Sequence, residues 1–352
     1  MARYADRSDI MAIGDSMYQG VRSLTITADM ARNSPPAIVA RALRLPMSLA
    51  LMRRPVLHDL EALLRQGSAF KLVSELRRTA LANLDQWIAE PSWSDEEAFD
   101  NLAFGGAAIS DLWTETYEAY WPKIAGLRQQ LLDDPEGIGE RLALVGQLWY
   151  ALNLCFVLHP SRTATAQARA SAIDQVARRQ PRLLLVNIGS NEGLFRAAFS
   201  GSYDDEAKAS IGAVPKKMKE LGERLAEAMP ADGKVYFNTI LRPRFVPNLM
   251  PPGNDAPRPG EDYYPVYRPR IGNQQSMLSA AEMRSFDEDV AAANQGTIEM
   301  VREALKDRVV FVDFYDQAGR FDGKHFANRF VHVPKARKRL RNTPLDSLFG
   351  GL

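Results

Sequence analysis

The residue types that could carry acyl-transfer chemistry fall in four short segments. Gly14-Asp15-Ser16 closes an apolar run, Ile10–Ile13, whose length and composition read as a buried strand. At the carboxyl end of a strand in an open parallel sheet, a serine hydroxyl faces the ligand crevice. Backbone N–H groups of a following helix can then meet a developing anion. The same two residues serve equally as a helix cap, because Asp and Ser are favoured at that position. Asp322-Gly323-Lys324-His325 follows the last apolar run. A serine nucleophile needs a base within hydrogen-bond reach, and the base needs a partner that fixes its tautomer. Asp322 and His325 supply both from one glycine turn, with an incidental surface histidine as the plainer alternative.

The other two segments supply hydrogen-bond donors. Asn101-Leu-Ala-Phe-Gly-Gly106 and Asn187-Ile-Gly-Ser-Asn191-Glu-Gly each follow a run that reads as a strand. Gly106 offers an unshielded backbone N–H and Asn191 a side-chain amide, the donor types of an oxyanion hole. Tight turns use the same residues.

These segments must be positioned by the elements around them. Five apolar runs read as strands: Ile10–Ile13, Leu102–Phe104, Leu183–Ile188, Lys234–Ile240 and Val309–Tyr315. Helical patterns lie between most of them. Ser34-Pro-Pro offers a cap with proline in the first turn. Ile173, Val176 and Ala177 recur at helical spacing, as do Val214, Met218, Leu221 and Leu225. Ser279-Ala-Ala-Glu282 forms a capping box before the longest pattern, which runs through Met283, Phe286, Val290, Val301 and Leu305. Alternating strand and helix predicts an α/β layer fold with a mainly parallel sheet.

The stretches about 45–100 and 111–160 exceed this alternation. Their helical runs, among them Leu72–Ile88, Tyr117–Leu131 and Leu142–Leu158, predict helical insertions within one domain spanning 1–352, since no linker separates them. Leu142–Leu158 is apolar for 17 residues, short of the roughly 20 that span a bilayer, and reads as a buried helix that also suits an acyl groove or a dimer contact. The Pro- and Tyr-rich stretch about 241–277 predicts an extended loop, where Tyr263–Tyr267 either pack or meet a sugar or lipid headgroup.

Composition narrows the function classes. Charged residues balance to a net +1, which gives no electrostatic case for a nucleic-acid partner. A hydrophobic content of 46% excludes a disordered chain. Cys155, the one cysteine, and four histidines make a His/Cys metal centre an unlikely design, so no metal or other cofactor is expected. GxSxG, GxxxxGK[ST], GxGxxG and HExxH are all absent. No secretory signal precedes MARYADRSD, which predicts a cytoplasmic protein unless a leader was trimmed from a secreted or periplasmic one. His58-Asp59, His159 and His332 read as structural or solvated. The basic tail about 333–352, with KARKRLR at Lys335–Arg341, reads as solvated or as an oligomer contact, which leaves a homo-oligomer open.

Taken in order, GDSMYQG, NLAFGGAAISDL, VNIGSNEGL and DGKH resemble the four blocks of the SGNH (GDSL-type) hydrolases, from residue 10 to about 326. The resemblance implies Ser16 as nucleophile, His325 as general base and Asp322 as its orienting acid. It also implies an oxyanion hole from the Ser16 and Gly106 N–H groups and the Asn191 side chain. The implied activity is hydrolysis of a carboxylic ester of a small alcohol, sugar or lipid, or acyl transfer to a sugar or lipid hydroxyl on the same scaffold; a non-catalytic binding protein that retains the scaffold is the alternative from another class. The implied fold is a flavodoxin-like three-layer α/β/α sandwich around a five-stranded sheet. Met17 stands where leucine is usual, Glu192 where aspartate is usual, and no clear terminal helix follows His325.

Overall fold

The computed structural model describes residues 8–21, 25–59, 69–90, 94, 98–133, 138–159, 168–252, 262–270, 272–273 and 275–321. The strands are β1 (Ile10–Gly14), β2 (Leu183–Asn187), β3 (Lys234–Asn238), β4 (Leu249–Met250), β5 (Val266–Pro269), β6 (Leu278–Ser279) and β7 (Val309–Val312). β1, β2, β3 and β7 form a parallel sheet in that order, and β4, β5 and β6 a small antiparallel one. The fold is α/β, as alternation predicts.

The expected five-stranded sheet is corrected to four strands. The fifth run, Leu102–Phe104, makes a single parallel bridge, Ala12 with Asn101, rather than a ladder. Its bonds to β1 are still regular: Ala12 N donates to Asp100 O at 2.9 Å, Leu102 N to Ala12 O at 2.8 Å and Phe104 N to Gly14 O at 3.1 Å. In a parallel strand the N–H and C=O of one residue point to the same edge, and those of its neighbours to the other. Ala12 therefore spends both groups on this segment, and β2 pairs along the opposite edge of β1. The segment thus lies along the edge of β1 opposite β2.

The chain divides into two compact units, Met1–Asn187 with Arg224–Tyr236, and Ile188–Glu223 with Phe237–Leu352. In the first, all five residues of β1 are buried, which explains why its sequence is apolar without alternation. Ser48 and Asp100 tie the chain before the segment in place. Ser48 N and Oγ donate to Asp100 Oδ2 at 2.6 and 3.0 Å, Ser8 Oγ donates to Oδ1 at 2.7 Å, and Arg179 pairs with the same oxygen.

The insertion helices build much of this unit's core. Helix Ile138–Leu158 buries Leu148, Leu152 and Leu154–Leu158 completely, and Phe156 meets Trp87 of helix Ala69–Ala89 with ring centroids 4.6 Å apart. The buried-helix reading holds from Ala151 to Leu158, where every residue is buried, whereas Ala143, Gly146 and Gln147 are exposed. Among the described residues no helix is long and apolar enough to cross a membrane. Helix Pro35–Leu43 starts after Ser34 with proline in its first turn, as expected, and the serine hydroxyl makes no cap bond.

In the second unit, helix Ala280–Leu305 opens with the expected box. Ser279 N donates to Glu282 Oε2 at 2.8 Å, and Glu282 N to Ser279 Oγ at 3.2 Å. The extended loop expected at 241–277 is corrected. It contains β4 and β5, and β5 in turn pairs with β6 just beyond it. Tyr264 and Tyr267, the latter on β5, are buried with edge-to-face rings, and Tyr263 Oη donates to Asp287 Oδ2 at 3.0 Å, so these tyrosines pack.

Candidate active site

Gly14 is where β1 breaks. Its φ of +149° and the Asn187 carbonyl passing beside it leave no room for a Cβ, and Asp15 N donates to that carbonyl at 3.0 Å. The chain then turns into a single helical turn, Ser16–Gln19. Asp15 caps it, accepting from Met17 N at 3.0 Å through Oδ1. The capping and nucleophile readings thus fall to different residues: Asp15 takes the cap, and Ser16, partly exposed, keeps its hydroxyl for other use. One turn carries little macrodipole. Individual N–H groups, rather than a helix field, are what this corner offers an anion.

Asp15 is wholly buried. Asn187 Nδ2 donates to the same Oδ1 at 3.0 Å, while Oδ2 has no partner. Burial outweighs these bonds and raises its carboxyl to about 7. The carboxyl neighbouring Ser16 is therefore poised near neutrality.

Gly106 lies two residues beyond Phe104, as Ser16 lies two beyond Gly14, the residue to which Phe104 N bonds. Both lie just beyond the carboxyl ends of adjacent parallel segments. Gly106 is exposed, with φ +86°, and a Cβ on it would come within 2.9 Å of the Tyr150 ring. Its loop is clamped from beneath by polar groups. Gly105 N donates to Gln19 Oε1 at 2.9 Å, and Gln19 and Asn153 exchange amide bonds of 2.6 and 2.8 Å. Asn101 Nδ2 donates to Tyr18 O at 2.9 Å. Composition-level reading missed Gln19 and Asn153. The visible signal is two amides placed within otherwise apolar runs, one in GDSMYQG and one in the apolar helix.

Asn191 belongs to the second unit, partly exposed on the loop that leads into helix Leu194–Ser200. Glu192 beside it is buried and pairs with Lys217 Nζ at 2.5 Å, on helix Val214–Ala228. The longer side chain thus ties the loop to that helix. Asp322 and His325 lie outside the described residues, as does His332.

The other titratable candidates are spoken for by burial. His58 and His159 are buried and desolvation lowers both to about 4; the His159 ring packs 4.3 Å from that of Tyr117. Burial pushes the Cys155 thiol far up, which makes it a core residue rather than a nucleophile. Among the described residues no group of three or more His, Cys, Asp or Glu side chains could hold a metal ion. No family model, curated protein or solved structure matches the chain.

Proposed function

We propose that the protein is a serine ester hydrolase of the SGNH type, acting on an ester of a small alcohol, sugar or lipid. The observation that carries this reading is the placement of Ser16 and Gly106, a partly exposed residue and an exposed glycine, just beyond the carboxyl ends of neighbouring parallel segments. The strand order supports the same assignment. With it goes the family's three-layer arrangement.

Ser16 Oγ attacks the ester carbonyl carbon as its proton passes to His325, held in the right tautomer by Asp322. The carbonyl π pair moves onto oxygen, where the Ser16 and Gly106 N–H groups and the Asn191 amide receive it. Collapse of this intermediate breaks the bond to the alcohol, which leaves with the proton from His325. Water, deprotonated by His325, then attacks the acyl-Ser16 carbonyl, and collapse releases the acid and restores the serine hydroxyl.

The test is hydrolysis of p-nitrophenyl esters from acetate to palmitate, with Ser16→Ala in parallel. Activity in the wild type and its loss in the variant are expected. Equal activity in both would remove Ser16 from the chemistry.

A further inference from the structure

Helices Tyr117–Leu132 and Ile138–Leu158 pack against each other, and a cavity of about 520 Å³ opens between them. Its lining repeats at helical spacing on both sides: Tyr120, Lys123 and Leu127 on one helix, Ala143, Gly146, Gln147, Tyr150 and Ala151 on the other. Tyr120 and Tyr150 meet edge to face, with centroids 5.5 Å apart. An antiparallel pair that sets Tyr120 opposite Tyr150 sets Leu127 opposite Ala143, so the groove runs two turns, about 10 Å at 1.5 Å per residue.

Two features make this more than a gap between helices. Tyr150 is shared: its ring lies 2.9 Å from where a Cβ on Gly106 would stand, and it also lines the groove. It is fixed there, because Tyr150 Oη donates to Asp111 Oδ2 at 2.7 Å and the same oxygen accepts Ala108 N at 2.8 Å. The floor is kept open by Gly146, where a Cβ would meet nothing within 4 Å. A mid-helix glycine costs stability relative to alanine, and here it leaves width along the apolar lining.

We infer that this groove holds the acyl chain of the ester, entering at Tyr150 beside Gly106 and extending toward Leu127 and Ala143. The inference rests on the proposed ester reading. Carbon–carbon bonds of about 1.5 Å advance an extended chain by roughly 1.25 Å each, so the groove takes about eight carbons. Each methylene that enters should raise kcat/KM about three- to fourfold, until the groove is full.

The experiment compares kcat/KM for p-nitrophenyl acetate, butyrate, octanoate and palmitate in the wild type, Gly146→Phe and Ala143→Phe, with folding checked by circular dichroism and Tm. The octanoate-to-acetate ratio is expected to fall at least tenfold in Gly146→Phe. In Ala143→Phe, which blocks only the far end, octanoate should lose ground to butyrate. Folded variants that keep the wild-type chain-length profile would overturn the assignment. Octanoate binding by saturation-transfer NMR separates this inference from the ester reading. If the wild type hydrolyses no ester yet binds octanoate, and Gly146→Phe abolishes that binding, the groove stands as a site for an apolar chain while the ester reading fails. Binding that is absent, or equal in both proteins, would overturn the groove.

Discussion

At the scale of single residues, Asp15 and Ser16 divide the work of one corner. The Asp15 carboxyl is kept protonated up to about pH 7 by burial, whereas in the unfolded chain it ionises near 3.8. Its folded-state value is raised, so its contribution to stability is whole below 3.8 and is lost as pH rises to about 7, on the order of 4 kcal/mol. Asp15→Asn keeps an acceptor for Met17 N and cannot ionise. Relative to wild type, its urea midpoint should climb between pH 4 and 7 and hold a constant lead above that. A lead that does not change with pH would show that Asp15 is already ionised in the folded protein. Asn191→Ala tests the side-chain donor: turnover should fall roughly 10²–10³-fold with Tm unchanged. Unchanged turnover would take Asn191 out of the reaction. Because the base must be neutral, activity should also fall as pH drops through the titration of His325. Measuring the profile in Asp15→Asn as well separates His325 from the carboxyl beside the nucleophile.

At the scale of elements, the Asn101–Gly106 segment holds its place with one bridge to β1, and polar side chains secure both of its ends. Asp100 gathers Ser8, Ser48 and Arg179 at the start; Gln19 and Asn153 hold Gly105 at the finish. Asp100→Ala would leave Arg179 without its carboxylate and Ser48 N without its acceptor, in a largely buried setting. A loss of about 2–4 kcal/mol in chemical denaturation is expected. A loss below half a kcal/mol would mean that β1 alone positions the segment. Gly146→Ala acts in the opposite direction. With nothing near the added methyl, it should stabilise helix Ile138–Leu158 by roughly 0.8–1 kcal/mol, read as a rise in Tm.

For the whole molecule, acid stability is set by groups of opposite sign. His58 and His159 ionise near 6.5 in an unfolded chain and only near 4 when buried here. Their folded-state values are lowered, so the stability they contribute is present above 6.5 and lost as pH falls to about 4. The buried carboxyls of Asp15 and Asp287, raised to about 7 and about 6, oppose them over most of that window. Two groups of each sign nearly cancel, so the urea midpoint of the wild type is expected to change little between pH 6 and 4. His58→Gln removes one histidine, and the stability of that variant should rise on acidification, by up to about 1.4 kcal/mol per pH unit within the window. An unaltered slope would mean that His58 takes up its proton without unfolding.

Local patterns in the chain were enough to determine most of its elements. The strands at Ile10–Ile13, Leu183–Ile188 and Lys234–Ile240, the capping box at Ser279 and the apolar helix ending at Leu158 all depend on neighbours a few residues away, where periodicity and capping chemistry act. The same holds for the placement of Ser16 and Gly106 just beyond strands. Tertiary structure decided what needs distant partners. Leu102–Phe104 has the composition of a strand, but only Ala12 and Gly14 could say how many ladder bonds it makes. The proline- and tyrosine-rich stretch reads as loop, because strands as short as β4 and β6 have no periodicity to detect and exist only through β5. The raised Asp15 carboxyl arises from complete burial, which outweighs the opposing bond from Asn187, 172 residues away. The groove at Gly146 arises from two helices meeting in one register. No local pattern encodes either, because desolvation and empty volume are properties of packed neighbours.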